Sequence, residues 1–228
     1  MYSIPYIDIH THKCRFEKDT VTVQNIFPGE GFAAFSGRNF YSVGLHPWHI
    51  ASKSENNEAL QLLEEALEFD HVIFVGEAGL DRLSNADFAE QGRVFEAQAF
   101  MSEEFQYPLI IHCVKAYNEV LELRKKMKPV LPWILHGYNG SIELTKQLLQ
   151  AGFLFSFGEI LFQKKAKAIE SFRFLPLEKL FFETDESEEM VEKIYERGAA
   201  LKEISLQKLK EAIWRNFNRI EKTLVDRV

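Results

Sequence analysis

Short apolar runs alternate along this 228-residue chain with longer segments of helical period. The apolar runs are rich in Ile, Val, Leu and Phe, which favours β-strands, whereas the segments between them repeat apolar residues every three or four positions. The pattern predicts eight strands: Tyr6–His10, Val21–Ile26, Tyr41–His46, Val72–Glu77, Leu109–Cys113, Trp133–Gly137, Phe153–Phe157 and Leu180–Asp185. It predicts seven helices, near 55–68, 87–105, 116–127, 141–151, 163–173, 188–201 and 205–222.

Several of these runs are apolar nearly throughout, as in HVIFVGE (71–77) and KLFFETD (179–185). Strands of a parallel sheet have such apolar sequences, because helices cover both faces of the sheet. Eight such strands with intervening helices favour an α/β fold of the (β/α)8 TIM-barrel type, with an open doubly wound sheet as the alternative. The stretch 13–40 is too short for a full complement of elements, so we expect a distorted barrel that lacks a peripheral helix there. No Pro/Gly/Ser linker interrupts the chain, which predicts a single domain over residues 1–228.

Charge and cysteine content narrow the function classes. The formal net charge is −7, which argues against long, tight contacts with duplex DNA, since most nucleic-acid binders carry a basic face. Cys14 and Cys113 form no C-x-x-C pair, a usage typical of a reducing compartment. No stretch approaches 18 apolar residues, and the N-terminus has no basic segment followed by an apolar run. We therefore expect a cytoplasmic protein without a membrane partner.

Most informative is what stands at the ends of the predicted strands. The first ends in IDIHTH, the fourth in FVGEAGLD, the fifth in LIIHC, the sixth in WILHGY and the last in FFETD. In a barrel, the carboxyl ends of all strands meet at one mouth, where active sites are built. A single histidine on a strand is usually a hydrogen-bonded core residue, but five coincident strand ends predict a metal site. The candidate ligands are His10, His12, Glu77, His112, His136 and Asp185.

The spacing of His10 and His12 suits the binding of one metal ion. Alternate residues of a strand point to the same side, and their backbones lie ~6.6 Å apart at ~3.3 Å per residue, so both imidazoles can reach one ion. Nitrogen and carboxylate ligands suit Zn or Mn, and more oxygen suits Mg. A carboxylate such as Glu77 can bridge two ions. We therefore expect one or two divalent ions (Mg, Mn or Zn) per chain.

At this point the sequence resembles the TatD family of metal-dependent deoxyribonucleases and related hydrolases. The segments that carry the resemblance are IDIHTH, GLHPW, VGEAGLD, PLIIHCVKA, ILHGYNGS, FSFGEIL, PLEKLFFETD and NFNRI, in the family's order. The resemblance implies a barrel similar to those of the amidohydrolases and hydrolysis of phosphodiester bonds. It also implies that His10, His12 and Asp185 hold one ion, and that His112 and His136 hold the other.

The remaining roles also follow from the resemblance. Glu77 would bridge the two ions, and His46 in GLHPW and Lys115 in HCVKA would contact the substrate phosphate. A two-metal mechanism is then expected, with Glu77 and Asp185 as catalytic residues and Asp185 as acceptor of the proton of the attacking water.

Two departures from the family's pattern bear on the substrate. The segment between His12 and Tyr41 is shorter than usual. After ETD, where the family commonly carries prolines and an Arg/Asn-Pro stretch, this chain has Glu186, Ser187, Glu188 and Glu189. This acidic run, 186–189, should repel a long polyanion, so we expect single-stranded or short nucleic-acid ends to be cleaved.

Two alternatives remain open at this point. The same barrel could hydrolyse an ester, amide or phosphate of a small molecule, which the acidity favours. A non-enzymatic metal-binding interaction protein is the other alternative. The complete set of six ligand types argues against it, because a decayed enzyme usually loses at least one ligand.

Overall fold

The computed structural model describes residues 4–13, 19–30, 39–164 and 166–225. The strands in this part of the chain are β1 (Tyr6–Thr11), β2 (Thr20–Ile26), β3 (Asn39–Val43), β4 (Val72–Asp81), β5 (Leu109–Val114), β6 (Trp133–Leu135), β7 (Leu154–Phe157) and β8 (Leu180–Phe182). The α-helices are α1 (Lys53–Ala66), α2 (Phe88–Glu104), α3 (Tyr117–Met127), α4 (Ile142–Gln150), α5 (Lys167–Phe174), α6 (Val191–Lys202) and α7 (Leu206–Val225). Short 3-10 helices lie at Pro47–His49, Glu159–Phe162 and Leu177–Lys179.

The eight strands form one sheet in which each strand pairs with its neighbours in chain order. A parallel bridge between Thr11 and Asp185 joins the end of β1 to the residues that follow β8. An open sheet would not join its first and last strands, so the predicted (β/α)8 TIM barrel is confirmed and the open doubly wound sheet is wrong.

The prediction of a missing helix concerns the connections on either side of β2. The described residues of these connections, 12–13, 19 and 27–30, contain no helix. The rest of the stretch 13–40 that was expected to lack one, residues 14–18 and 31–38, lies outside the described residues.

The described residues fall into two compact units. The first contains β1, residues 20–24 of β2, β7, β8 and the helices α4 to α7. Its core is a series of aromatic rings, in which Phe172 packs 5.2 Å from Phe157 and 5.8 Å from Phe182, and Phe182 packs 4.5 Å from Tyr195, measured between ring centroids. The hydroxyl of Tyr195 donates to the carbonyl of Ile7 (3.1 Å) and accepts from its N–H (3.0 Å). This pair of bonds fixes α6 against β1.

The second unit contains β3 to β6 with α1, α2 and α3. Every residue of β4 is buried, as expected for a strand inside a parallel sheet. Asp87 is the N-cap of α2, because its carboxylate accepts from the N–H of Glu90 (2.8 Å). Helix α1 begins with a capping box between Ser52 and Glu55. The expectation of one domain over residues 1–228 stays a prediction.

Candidate metal sites

In the first unit, three side chains that could hold an ion come together, one in β1 and two that follow β6 and β8 in the sequence. They are His10, His136 and Asp185, and their ligand atoms all lie within 4.8 Å of one another. His10 is fully buried, whereas the side chain of Asp185 is 40% exposed. The group is therefore anchored in the core and open to solvent on the carboxylate side.

Backbone hydrogen bonds between the ends of β1 and β8 position Asp185. Its N–H donates to the carbonyl of His10 (2.9 Å), and its carbonyl accepts from the N–H of His12 (3.3 Å) and from the hydroxyl of Thr11 (3.1 Å). The φ of Asp185 is +51°, a region that Asp enters more readily than most residues. The turn directs its side chain towards His10 and His12.

Both histidines of the H-x-H pair face one oxygen of Asp185. The Nε2 of His10 lies 3.7 Å from Oδ1, and the Nε2 of His12 lies 3.6 Å from the same atom. The ring centroids are 5.1 Å apart. The same-side arrangement expected from their spacing is confirmed.

Glu183 is a buried carboxylate beside this first group that the sequence analysis missed. Its Oε1 accepts from the N–H of Gly137 (2.5 Å) and lies 3.7 Å from Nδ1 of His136. Burial raises the pKa of the Glu183 carboxyl. Interactions with His136, the charge of His10 and the hydroxyl of Ser156 lower this pKa by more than burial raises it, so it lies below its usual value. A charged Glu183 can orient the ring of His136.

In the second unit, His46, Glu77 and His112 form another group whose ligand atoms lie within 4.8 Å of one another. The Oε1 of Glu77 is 2.7 Å from Nδ1 of His112 and 3.3 Å from Nε2 of His46. The N–H of Glu77 donates to Oδ1 of Asn25 (2.7 Å), which also accepts from the hydroxyl of Ser42 (3.0 Å). Glu77 is thus held by its backbone, and its side chain faces two imidazoles.

The approach of β4 to β5 depends on Gly79. Its φ is +154°, and a Cβ atom there would collide with the backbone carbonyl of His112. Only glycine allows this conformation without strain. The GEAG part of the motif therefore brings Glu77 and His112 together.

Asp81, at the end of β4, is the second residue that the sequence analysis missed. It is 1% exposed. Its Oδ2 accepts from the indole N–H of Trp48 (2.5 Å) and lies 3.2 Å from Nε2 of His112, while its Oδ1 accepts from the N–H of Leu83 (2.7 Å). Although burial raises the pKa of Asp81, these hydrogen bonds lower it below its usual value. The sequence did contain a signal for Asp81. It stands four residues after Glu77, and alternate residues of a strand point to the same side, so both carboxylates could be expected on one side of β4.

Asp81 has a chemical consequence for His112. A carboxylate that accepts the Nε2 proton selects the tautomer in which Nδ1 carries a lone pair. In His112 that lone pair is on the side of Glu77. The arrangement prepares one imidazole nitrogen and one carboxylate oxygen for the same cation.

The acidic run 186–189 lines a cleft of about 530 Å³ in the first unit, together with Asp185 and Glu183. Glu186, Glu188 and Glu189 are exposed. Lys13 forms an ion pair with Glu188 and donates to the carbonyl of Ser187 (3.2 Å). The negative charge of this rim is therefore partly compensated, which the sequence analysis did not anticipate.

Each of the two groups contains ligands that were predicted from the sequence. His136 lies with His10 and Asp185, and His112 lies with Glu77 and His46. His46, expected at the substrate phosphate, is therefore also a candidate ligand. The assignment of His112 and His136 to one ion stays a prediction.

Lys115 follows β5 directly, with a φ of +53°, and is exposed. Its contact with a substrate phosphate also stays a prediction.

Both the sequence and the fold are similar to those of known proteins. The profile of the family described as TatD related DNase matches residues 30–222. An uncharacterized metal-dependent hydrolase of Haemophilus influenzae is 30% identical over 177 residues, which are 74% of this chain and 65% of that protein. The 3'-5' ssDNA/RNA exonuclease TatD of Citrobacter koseri is 32% identical over 152 residues, 63% of this chain and 56% of that protein.

The chain thus spans less than two thirds of the length of these two relatives. The crystal structure of YjjV, a TatD homologue from Escherichia coli, superposes with a TM-score of 0.81 at 21% identity and covers 96% of this chain and 97% of that one. The fold is shared over nearly the whole chain, and the family profile covers most of it. This chain belongs to the TatD related DNase family.

Proposed function

We propose that this protein is a metal-dependent hydrolase that cleaves phosphodiester bonds in single-stranded or short nucleic acid. The observation that carries the proposal is the presence of two groups of imidazoles and carboxylates, each with ligand atoms within 4.8 Å of one another. The names of relatives support the substrate class, since the Citrobacter koseri protein is named a 3'-5' ssDNA/RNA exonuclease.

The residues of both groups fit divalent ions. Imidazole nitrogen with carboxylate oxygen is a ligand set for Zn or Mn, and carboxylates also suit Mg. We propose the full set of ligands predicted from the sequence: His10, His12, Glu77, His112, His136 and Asp185. When bound, such ions lower the pKa of water and neutralise charge that develops on phosphate oxygens.

The chain's own residues supply the remaining steps. The exposed carboxylate of Asp185 accepts the proton of the attacking water. Asp81 orients His112 through the 3.2 Å contact between Oδ2 and Nε2, and Oε1 of Glu77, 2.7 Å from Nδ1 of His112, is placed to hold the same ion. Lys115 neutralises the phosphate of the substrate, and His46 orients it for attack.

Hydrolysis of a small ester, amide or phosphate is the second candidate function. It is favoured by the acidic run 186–189, whose exposed glutamates line the same cleft as Asp185. Like charges within the Debye length of ~8 Å oppose entry of a polyanion.

Part of this proposal concerns where the protein works. In the described part of the chain, every helix is too short or too polar to cross a bilayer. A cytoplasmic location is part of the proposal, and the scarcity of cysteine, typical of a reducing compartment, supports it.

The test begins with metal analysis of the purified protein. Chelator-stripped protein is then assayed with Mg, Mn or Zn on a labelled single strand, the corresponding duplex, and a panel of small esters and phosphates. We expect no turnover without an ion and faster cleavage of the single strand. Glu77→Ala and Asp185→Asn should each lower turnover by orders of magnitude, whereas Asp87→Asn, at an exposed N-cap, should not. The proposal would be contradicted if turnover persisted in the presence of the chelator, or if the protein hydrolysed only the small esters.

A further inference from the structure

Two large apolar side chains are exposed beside the second group of candidate ligands. Trp48 is 66% exposed and Leu83 is 64% exposed. They line a cleft of about 490 Å³, completed by Ile50, Ser84, Asn85 and Ala86, which we call the Trp48–Leu83 cleft. The cleft therefore offers an apolar surface to a ligand.

Trp48 is exposed, yet it is held in place. Its backbone N–H donates to Nδ1 of His46 (3.1 Å), and its indole N–H donates to the buried carboxylate of Asp81 (2.5 Å). A ring fixed in this way loses little conformational entropy when a ligand packs on it. The hydrogen bonds therefore prepare the face of the indole for stacking.

The ring also lies next to the candidate ligands. Its centroid is 5.4 Å from that of His46 and 6.5 Å from that of His112. A group stacked on Trp48 would therefore lie close to a phosphate held by these residues.

The chemistry of the cleft selects a neutral, flat ligand. None of its lining residues is charged. The nearest cation in sequence, Arg82, is engaged by an ion pair with Glu119 and lies over the ring of Phe88 (4.1 Å). The exposed amide of Asn85 offers an NH2 group as donor and a carbonyl oxygen as acceptor. An apolar surface with a polar edge matches a heterocyclic base better than a phosphate or sugar.

We propose that the Trp48–Leu83 cleft is a subsite that stacks the base of the nucleotide adjoining the scissile phosphate. The choice of a nucleobase as ligand rests on the proposed function. Stacking on an aromatic ring does not depend on base sequence, because every base has a flat face. The subsite therefore favours unpaired strands, whose bases are free to leave the stack.

The test follows the indole N–H resonances of the Mg-loaded protein by NMR. The chain has three tryptophans, and Trp48→Phe identifies the signal of Trp48. Titration with deoxyadenosine monophosphate should shift this signal, whereas deoxyribose 5-phosphate, which lacks the base, should not. The mononucleotide should bind at least about fivefold more tightly, as expected from ~1 kcal/mol of stacking.

Variants separate stacking from structural damage. Leu83→Ala removes one wall without changing a hydrogen-bonding side chain and should reduce the preference for the base. Trp48→Phe keeps a ring and should retain most of it, whereas Trp48→Ala should abolish it. Phe100→Ala, at an exposed ring on α2, is the matched control and should change nothing.

The outcomes distinguish the subsite from the proposed function. A Trp48 signal that stays unmoved, or that shifts equally with the base-free phosphate, overturns the subsite even if the protein cleaves DNA. A selective shift with the mononucleotide, in a protein that cleaves no oligonucleotide with any ion, supports the subsite and rejects the proposed hydrolysis.

Discussion

Asp81→Asn tests whether a buried carboxylate prepares His112 for metal binding. The substitution preserves size and replaces an acceptor of three contacts, from Trp48, Leu83 and His112. An asparagine has one carbonyl oxygen and one amide group. In either orientation of the side chain, its NH2 group faces at least one N–H group whose hydrogen bond the carboxylate accepted.

The magnitude can be worked from these contacts. A hydrogen bond to a charged group contributes ~1.5–3 kcal/mol, and at least one such bond becomes a donor facing a donor. Loss of a partner that orients a metal-binding histidine typically lowers metal affinity ~10- to 100-fold. These estimates agree, because that range corresponds to ~1.4–2.8 kcal/mol. We expect Asp81→Asn to weaken metal binding by one to two orders of magnitude.

The assay is calorimetric titration of Zn or Mn into chelator-stripped protein. Asp87→Asn is the matched control, since it removes one charge at an exposed helix N-cap, where asparagine caps as well as aspartate. Thermal unfolding of the metal-free proteins reports whether either variant is damaged. An Asp81→Asn protein that binds the ion within twofold of the unmodified protein would falsify the positioning role.

Three further predictions concern packing, titration and charge. Gly198→Ala should lower the free energy of unfolding by ~1–3 kcal/mol, since the new Cβ would lie 2.6 Å from the ring of Phe182. Gly92→Ala is the control: its Cβ would meet open space, so the free energy of unfolding should rise by ~0.5–1 kcal/mol. Urea melts measure both. Burial raises the pKa of Cys113 to about 12, so its alkylation in the folded protein should stay slow at pH 8 and accelerate only as the pH approaches that value; rapid labelling at pH 8 would contradict this. Changing the three glutamates of 186–189 to Gln should increase cleavage of long strands, most clearly at low salt, and an equal rate would refute the repulsion.

The architecture was largely predictable because each strand is a distinct apolar run between segments of helical period. The residues at which the strands end were less predictable. β4 continues to Asp81, beyond the predicted end at Glu77, because the glycines of GEAG let it stay close to β5 although they interrupt the apolar run. β6 and β8 stop at Leu135 and Phe182, before the polar residues that were assigned to them.

The candidate ligands were predictable for a similar reason, because imidazoles and carboxylates recur at strand ends. Their partners were not. Alternation along a strand states which side a residue faces, but not which residue of another strand it meets. The sequence therefore contained no sign that Nε2 of His46, which the resemblance assigned to the substrate, lies 3.3 Å from Oε1 of Glu77.

Trp48 shows why an exposed aromatic residue is hard to interpret from sequence. Composition favours core packing for most rings, yet this indole has one edge bonded to buried Asp81 and a face open to solvent. Its two roles can be separated, because the orientation of Asp81 depends on the indole N–H, whereas stacking depends on the ring. Trp48→Phe should therefore weaken metal binding and keep base preference, while Leu83→Ala should do the reverse. If both variants changed both properties equally, the hydrogen bond and the apolar surface would have to act as one structural element.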